Sequence, residues 1–113
     1  ETQNIADAIR KSLSLLGQRM DLETAPHRIE EFNAMIEDPS LWDDQARAQK
    51  LMRDRQQLLD KFETYSRIDQ ELTDNIELIE MGEMEGDDEI IAEAEKSLRA
   101  LKEEADKIKK LLA

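Results

Sequence analysis

Few side chains in this 113-residue chain could do chemistry. It has one histidine, His27, and no cysteine. A zinc site or a nucleophilic triad needs a further histidine or a thiolate to complete it, so His27 reads as a surface residue. The five serines, Ser12, Ser14, Ser40, Ser66 and Ser97, have no base partner evident in the sequence. Carboxylates are plentiful, and Met84-Glu85-Gly86-Asp87-Asp88-Glu89 invites a calcium reading. It fails the calcium-loop template, which wants acids at alternating positions, a glycine at the sixth and a glutamate at the twelfth. Acid–base work by paired carboxylates needs a sheltered site that splits their pKa values, and a polar turn between helices offers none. No glycine-rich phosphate loop is present either. The residues give no catalytic, cofactor-binding or metal set. What remains for the acidic turn is a docking surface for a basic protein patch, beside the plainer reading of a solvated tip.

Charge sharpens that choice. The net charge is −12, from 28 acids against 16 bases. No lysine or arginine lies between Arg67 and Lys96, where twelve acids fall, so the remainder of the chain is neutral on balance. Phosphate recognition needs Lys and Arg, which argues against a direct nucleic-acid site. Arg47, Lys50, Arg53, Arg55 and Lys61 alternate with Asp54, Asp60 and Glu63, a mixed solvated helix face with i,i+4 pairs. No apolar run approaches the ~20 residues of a membrane span, and no signal-peptide pattern opens the chain. The lack of cysteine fits a reducing compartment, so a cytoplasmic location is expected. A first residue of Glu1 predicts that further residues precede it.

The elements that would position these groups are helices. A chain 39% charged and 39% hydrophobic with three glycines and two prolines matches long helices or coiled coils. Ile5, Ile9, Leu13, Leu16 and Met20 recur at three- and four-residue steps, predicting a helix over 3–20. Ala25, Ile29, Phe32 and Ile36 predict a second over 24–37, starting at Leu22 or Thr24, with Pro26 tolerated only in its first turn. Asp38-Pro39-Ser40 breaks it. Asp43 or Asp44 then caps a third helix over 44–81. Its seam runs through Ala48, Leu51, Arg55, Leu58, Phe62, Tyr65, Leu72, Ile76 and Ile79, with a polar step at Asp69 and Ile68 beside it. Met81 to Asp88, holding Gly82 and Gly86, reads as the turn. Ile91, Ala94, Leu98, Leu101, Ala105, Ile108 and Leu112 form an unbroken heptad seam on a fourth helix over 88–112. No strand signal occurs. The expected fold is all-α: an elongated antiparallel bundle, residues 1–113 as a single domain. Helices three and four would make a long coiled-coil-like hairpin, with helices one and two along its open end. Trp42, the one tryptophan, is expected as a structural anchor that plugs the bundle end, its ring buried and its indole N–H paired.

The segments Arg28-Ile29-Glu30-Glu31-Phe32-Asn33, Asp38-Pro39-Ser40-Leu41-Trp42-Asp43-Asp44 and Arg47-Ala48-Gln49-Lys50 together resemble the N-terminal helical domain (domain 1) of the bacterial peptide chain release factor 2 family. The Glu-x-Glu-Gly-Asp-Asp-Glu turn is similar too, and the tryptophan junction favours factor 2 over factor 1. The resemblance spans essentially the whole chain. It implies a helical accessory domain of a factor that, at full length, directs peptide release on the ribosome at UAA and UGA stop codons. Such factors read the codon with Ser-Pro-Phe and hydrolyse peptidyl-tRNA with Gly-Gly-Gln. Here no serine precedes a proline and no two glycines are adjacent. Codon reading and catalysis therefore carry over to no position, and the chain itself is expected not to be an enzyme. The implied partners are the stalk-base region of the ribosome and the GTPase that recycles release factors. Glu83, Glu85, Asp87, Asp88 and Glu89 are the candidate contacts, since charge complementarity to basic ribosomal proteins speeds docking. No cofactor is implied, and the chain is expected to be monomeric. A structural coiled-coil module that self-associates or scaffolds other proteins is the alternative, supported by the same heptads.

Overall fold

The computed structural model describes residues 2–21 and 23–112, with side chains at 3–21 and 23–111. Every element in it is helical: α1 (Thr2–Arg19), α2 (Ala25–Glu37), a 3-10 turn (Pro39–Asp43), α3 (Gln45–Glu85) and α4 (Asp88–Leu112). The all-α expectation holds. Two compact units emerge, one formed by the chain up to Arg19 together with the part from Tyr65 onward, the other by Met20–Thr64.

In the first unit the 3-4 stripes of three helices share one core. Ala6, Ile9 and Leu13 of α1 meet Ile68, Leu72 and Ile79 of α3 and Ala94, Leu98 and Leu101 of α4. Ile5, Tyr65, Ile76 and Ile108 pack against this cluster, half-buried. Ile9, Ile68 and Leu98 are fully buried, each contributing about 1.5–3 kcal/mol through removal of apolar surface from water. Ile68, rather than the polar Asp69 next to it, carries the seam across its break. Leu112, the last expected seam position, lies outside the residues whose side chains are described. Thus α1, expected at the open end of the hairpin, joins the hairpin's own core. Across the hairpin surface the Arg67 guanidinium pairs with Glu71 one turn on and with Glu104 of α4. All three side chains are partly exposed, so these pairs orient more than they stabilise.

The hairpin turn differs from its expected form. α3 does not stop near Met81; it runs through Gly82 to Glu85, and only Gly86 and Asp87 separate it from α4. Gly82 belongs inside the helix because α4 passes so close: a Cβ there would stand 2.8 Å from Cγ1 of Ile91. Gly86 is the stop signal. Its φ of +68° is left-handed, a conformation open to glycine without steric cost. The Asp87 N–H donates to the Gly82 carbonyl at 2.8 Å, the six-to-one bond that closes a helix C-terminus around such a glycine. Asp87 then starts α4, its carboxylate accepting from the Ile90 N–H.

The second unit holds α2, the 3-10 turn and the start of α3, with Ala25, Leu41, Ala48 and Leu58 buried. Leu22, one candidate start for α2, lies outside the described residues. Pro26 sits in the first turn of α2 behind Thr24, whose hydroxyl donates back to the Asp21 carbonyl instead of capping the helix. Asp38 is extended at φ −73°, ψ 116°, as the residue before proline must be. Asp44, not Asp43, caps α3 by accepting from the Arg47 N–H. Arg55, an odd member of an apolar seam, donates to the Asn33 side chain of α2 at 2.8 Å.

Candidate functional site

The five acids proposed from sequence cluster at the hairpin tip of the first unit but are not equivalent. Asp87 is half-buried and its carboxylate is occupied with the Ile90 amide. Asp88 and Glu89 are exposed in the first turn of α4, where the helix dipole favours negative charge. Glu83 and Glu85 are exposed on the last turn of α3. Two residues apart at about 100° per residue, they point to nearly opposite sides. The tip therefore offers four solvated carboxylates and one structural one. Among the described residues no group of three or more His, Asp or Glu is arranged to hold a metal ion, and no helix is long and apolar enough to cross a membrane.

Trp42 departs from the expected plug. Trp42 is 53% exposed while its neighbour Leu41 is 5% exposed, so Leu41 fills the buried position of the 3-10 turn. Trp42 still ties the junction by its polar end, since the indole N–H donates to the Ile36 carbonyl at 3.2 Å. That oxygen belongs to the last turn of α2, whose carbonyls have no partner within the helix. The exposed ring lies beside Gln45, Gln49 and Met52 in a shallow apolar concavity of the second unit. Asp38 accepts from both the backbone N–H and the hydroxyl of Ser40. Those bonds, the backbone one foremost, and the nearby Arg47 charge hold its carboxyl below the ordinary carboxylate range.

His27 is exposed and pairs with Glu31 one turn on, at 3.0 Å. Of the serines, Ser12 is buried in α1 and the others are exposed. None of these stands among catalytic partners. The expected mixed face on α3 is present, with Lys50 and Asp54 paired at 3.1 Å. The structure adds surfaces that the sequence pattern does not announce: the Trp42–Met52 concavity, and a groove between α3 and α4 lined by Leu78 and Ile90. Leu78 and Ile90 each sit one position off a seam residue, Ile79 and Ile91, and that adjacency was the only signal available.

Such an all-α module, a helical hairpin with a third helix in its core, has a place among known families. The chain belongs to the PCRF domain family, whose model matches residues 25–113. Over 107 residues it is 59% identical to peptide chain release factor 2 of Roseobacter denitrificans, covering 95% of this chain and 29% of that protein. It is 61% identical over 105 residues to peptide chain release factor 2 of Ruegeria sp., covering 93% of this chain and 28% of that protein. With peptide chain release factor 2 of Paramagnetospirillum magneticum it shares 44% identity over 108 residues, 96% of this chain and 29% of that protein. The chain thus spans less than a third of the length of these curated relatives.

Proposed function

We propose that this chain is the non-catalytic N-terminal domain, over residues 1–113, of a cytoplasmic translation termination factor that at full length directs peptide release at UAA and UGA codons. The observation that carries the reading is its 59–61% identity to release factor 2 proteins over nearly its whole length. The lack of any Gly-Gly pair or Ser-Pro-Phe tripeptide supports a docking role over a chemical one. In this reading the solvated acids Glu83, Glu85, Asp88 and Glu89 face basic protein at the ribosomal stalk base or on the release-factor GTPase. Asp87 serves by shaping the turn, and Leu41 with the Trp42 indole holds the α2–α3 junction. The coiled-coil alternative loses its main support, because the heptad face of α4 is already used: Ala94, Leu98, Leu101 and Ala105 are all buried within the chain. That use supports a monomer.

The test is ribosome co-sedimentation of this chain at low and moderate salt, with its mass checked by light scattering. A monomer should bind in a salt-sensitive way. Charge reversal at Glu83, Glu85, Asp88 and Glu89 should abolish the binding. Salt-independent binding, or binding untouched by the reversal, would refute the role given to the tip.

A further inference from the structure

The groove beside the tip, which shares Glu89 with the docking surface proposed above, deepens that reading by naming the form of the partner. On α3 the positions 74, 78, 81 and 85 recur at four-, three- and four-residue steps and so form one stripe of the helix surface. They are Asp74, Leu78, Met81 and Glu85, an apolar pair bracketed by acids, and all four are exposed. Leu78 and Met81 are 41% and 49% exposed, which is high for large apolar side chains beside a formed core. Leu78 also lines the groove toward α4, where it meets Ile90, and the α4 side of that groove is set by Glu89 and Glu93. Among the described residues none of Glu85, Glu89 and Glu93 forms an ion pair. The result is an apolar floor of Leu78 and Ile90 with Glu89 and Glu93 along its α4 edge and the neutral Asn75 on the α3 side. Lys96 is the one base lining it.

We propose that this α3–α4 groove is a docking site for a cationic amphipathic helix of another protein, its apolar face on Leu78 and Ile90 and reaching Met81 along the α3 stripe, its lysines or arginines on Glu89 and Glu93. Helix-in-groove recognition needs an apolar floor to receive anchors at three- and four-residue spacing. The acidic edge selects the sign of the partner and repels anionic surfaces, so nucleic acid and anionic lipid are excluded as occupants. With two large apolar side chains on its floor, Leu78 and Ile90, the groove offers only a narrow apolar strip, which favours a helix with one apolar stripe over an apolar slab such as a membrane.

The probe is a synthetic Lys/Leu peptide with leucines at helical 3-4 spacing, titrated into the isotope-labelled chain at about 0.15 M salt, where weak surface attraction is largely screened. Its control has the same composition with the leucines scattered. Saturable amide shifts at residues 78, 81, 90 and 93 are expected with the patterned peptide only. Leu78→Gln, at an exposed position that folding tolerates, should weaken binding about fivefold or more, and Glu89→Gln with Glu93→Gln should do likewise. Equal shifts with both peptides, or shifts spread over every acidic residue, would overturn the proposal. So would self-association of the chain that Leu78→Gln removes, which would assign the groove to a second copy.

Discussion

Replacing Gly82 by alanine sets two known effects against each other. In a helix interior, alanine in place of glycine gains about 0.5–1 kcal/mol, because glycine loses more backbone freedom on folding. At this position, however, the new Cβ would stand 2.8 Å from Cγ1 of Ile91 and 3.2 Å from the Asp87 carbonyl oxygen. Carbon atoms prefer about 3.5–4.0 Å. Relief requires moving a β-branched side chain or the turn backbone, and overpacking of that kind costs about 1–3 kcal/mol. The close approach wins, for a net loss of about 0.5–2 kcal/mol. In a thermal melt that is a fall of about 2–8 °C. Urea unfolding followed by helical circular dichroism, on the parent, Gly82→Ala, Ile91→Ala and the double variant, isolates the cause. Ile91→Ala removes the 2.8 Å partner, so Gly82→Ala should be near neutral or stabilising in that background, giving a coupling of about 1–2 kcal/mol. A Gly82→Ala cost that is the same in both backgrounds, or an outright gain in the parent, would refute the packing argument.

The other predictions concern the same fold. Gly17→Ala should stabilise by about 0.5 kcal/mol, because its Cβ would make ordinary contacts with Tyr65 at 3.5 Å and beyond; Gly86→Ala should cost about 1–2 kcal/mol for the left-handed backbone alone, there being open space around it. Chemical denaturation of both variants checks the opposite signs. Leu98→Ala, at a fully buried position of the three-helix core, should cost about 2–5 kcal/mol in the same assay. The depressed Asp38 carboxyl makes its contribution present above its ordinary range, near 3.8, and lost as pH falls through its lower folded value. Asp38→Asn should therefore remove that part of the stability loss on acidification, read as a flatter stability-versus-pH curve below the ordinary range.

How much of this was legible beforehand depended on whether a residue's role is periodic or local. Ile9, Leu72 and Leu98 follow helical spacing, and spacing alone predicts them in a core, whereas Ile68, beside the polar step at Asp69, takes its core place only in the fold. Asp44 was a nameable cap because cap chemistry is short-range. The turn differs for a tertiary reason: Gly82 looks like a breaker from its neighbours, but its purpose is to let Ile91 approach from the opposing helix. For Trp42, size predicts burial, whereas the smaller Leu41 is the one turned inward and the indole contributes through its N–H. For the five acids, clustering was visible in sequence. The inward use of Asp87 was not, since it depends on where α3 ends. The Leu78–Ile90 groove was hidden altogether, because it is made by two helices brought together across a two-residue turn.

The central claim is that this segment docks and does no chemistry. The most direct test is peptide release from ribosomes programmed with UGA, comparing an intact release factor 2 relative with the same factor lacking the region that matches this chain. The account predicts an unchanged maximal release rate and a higher factor concentration for half-maximal release, because binding contacts are lost and the reacting groups are not. A collapse of the maximal rate at saturating factor would contradict it, and would mean that this helical segment takes part in the hydrolytic step.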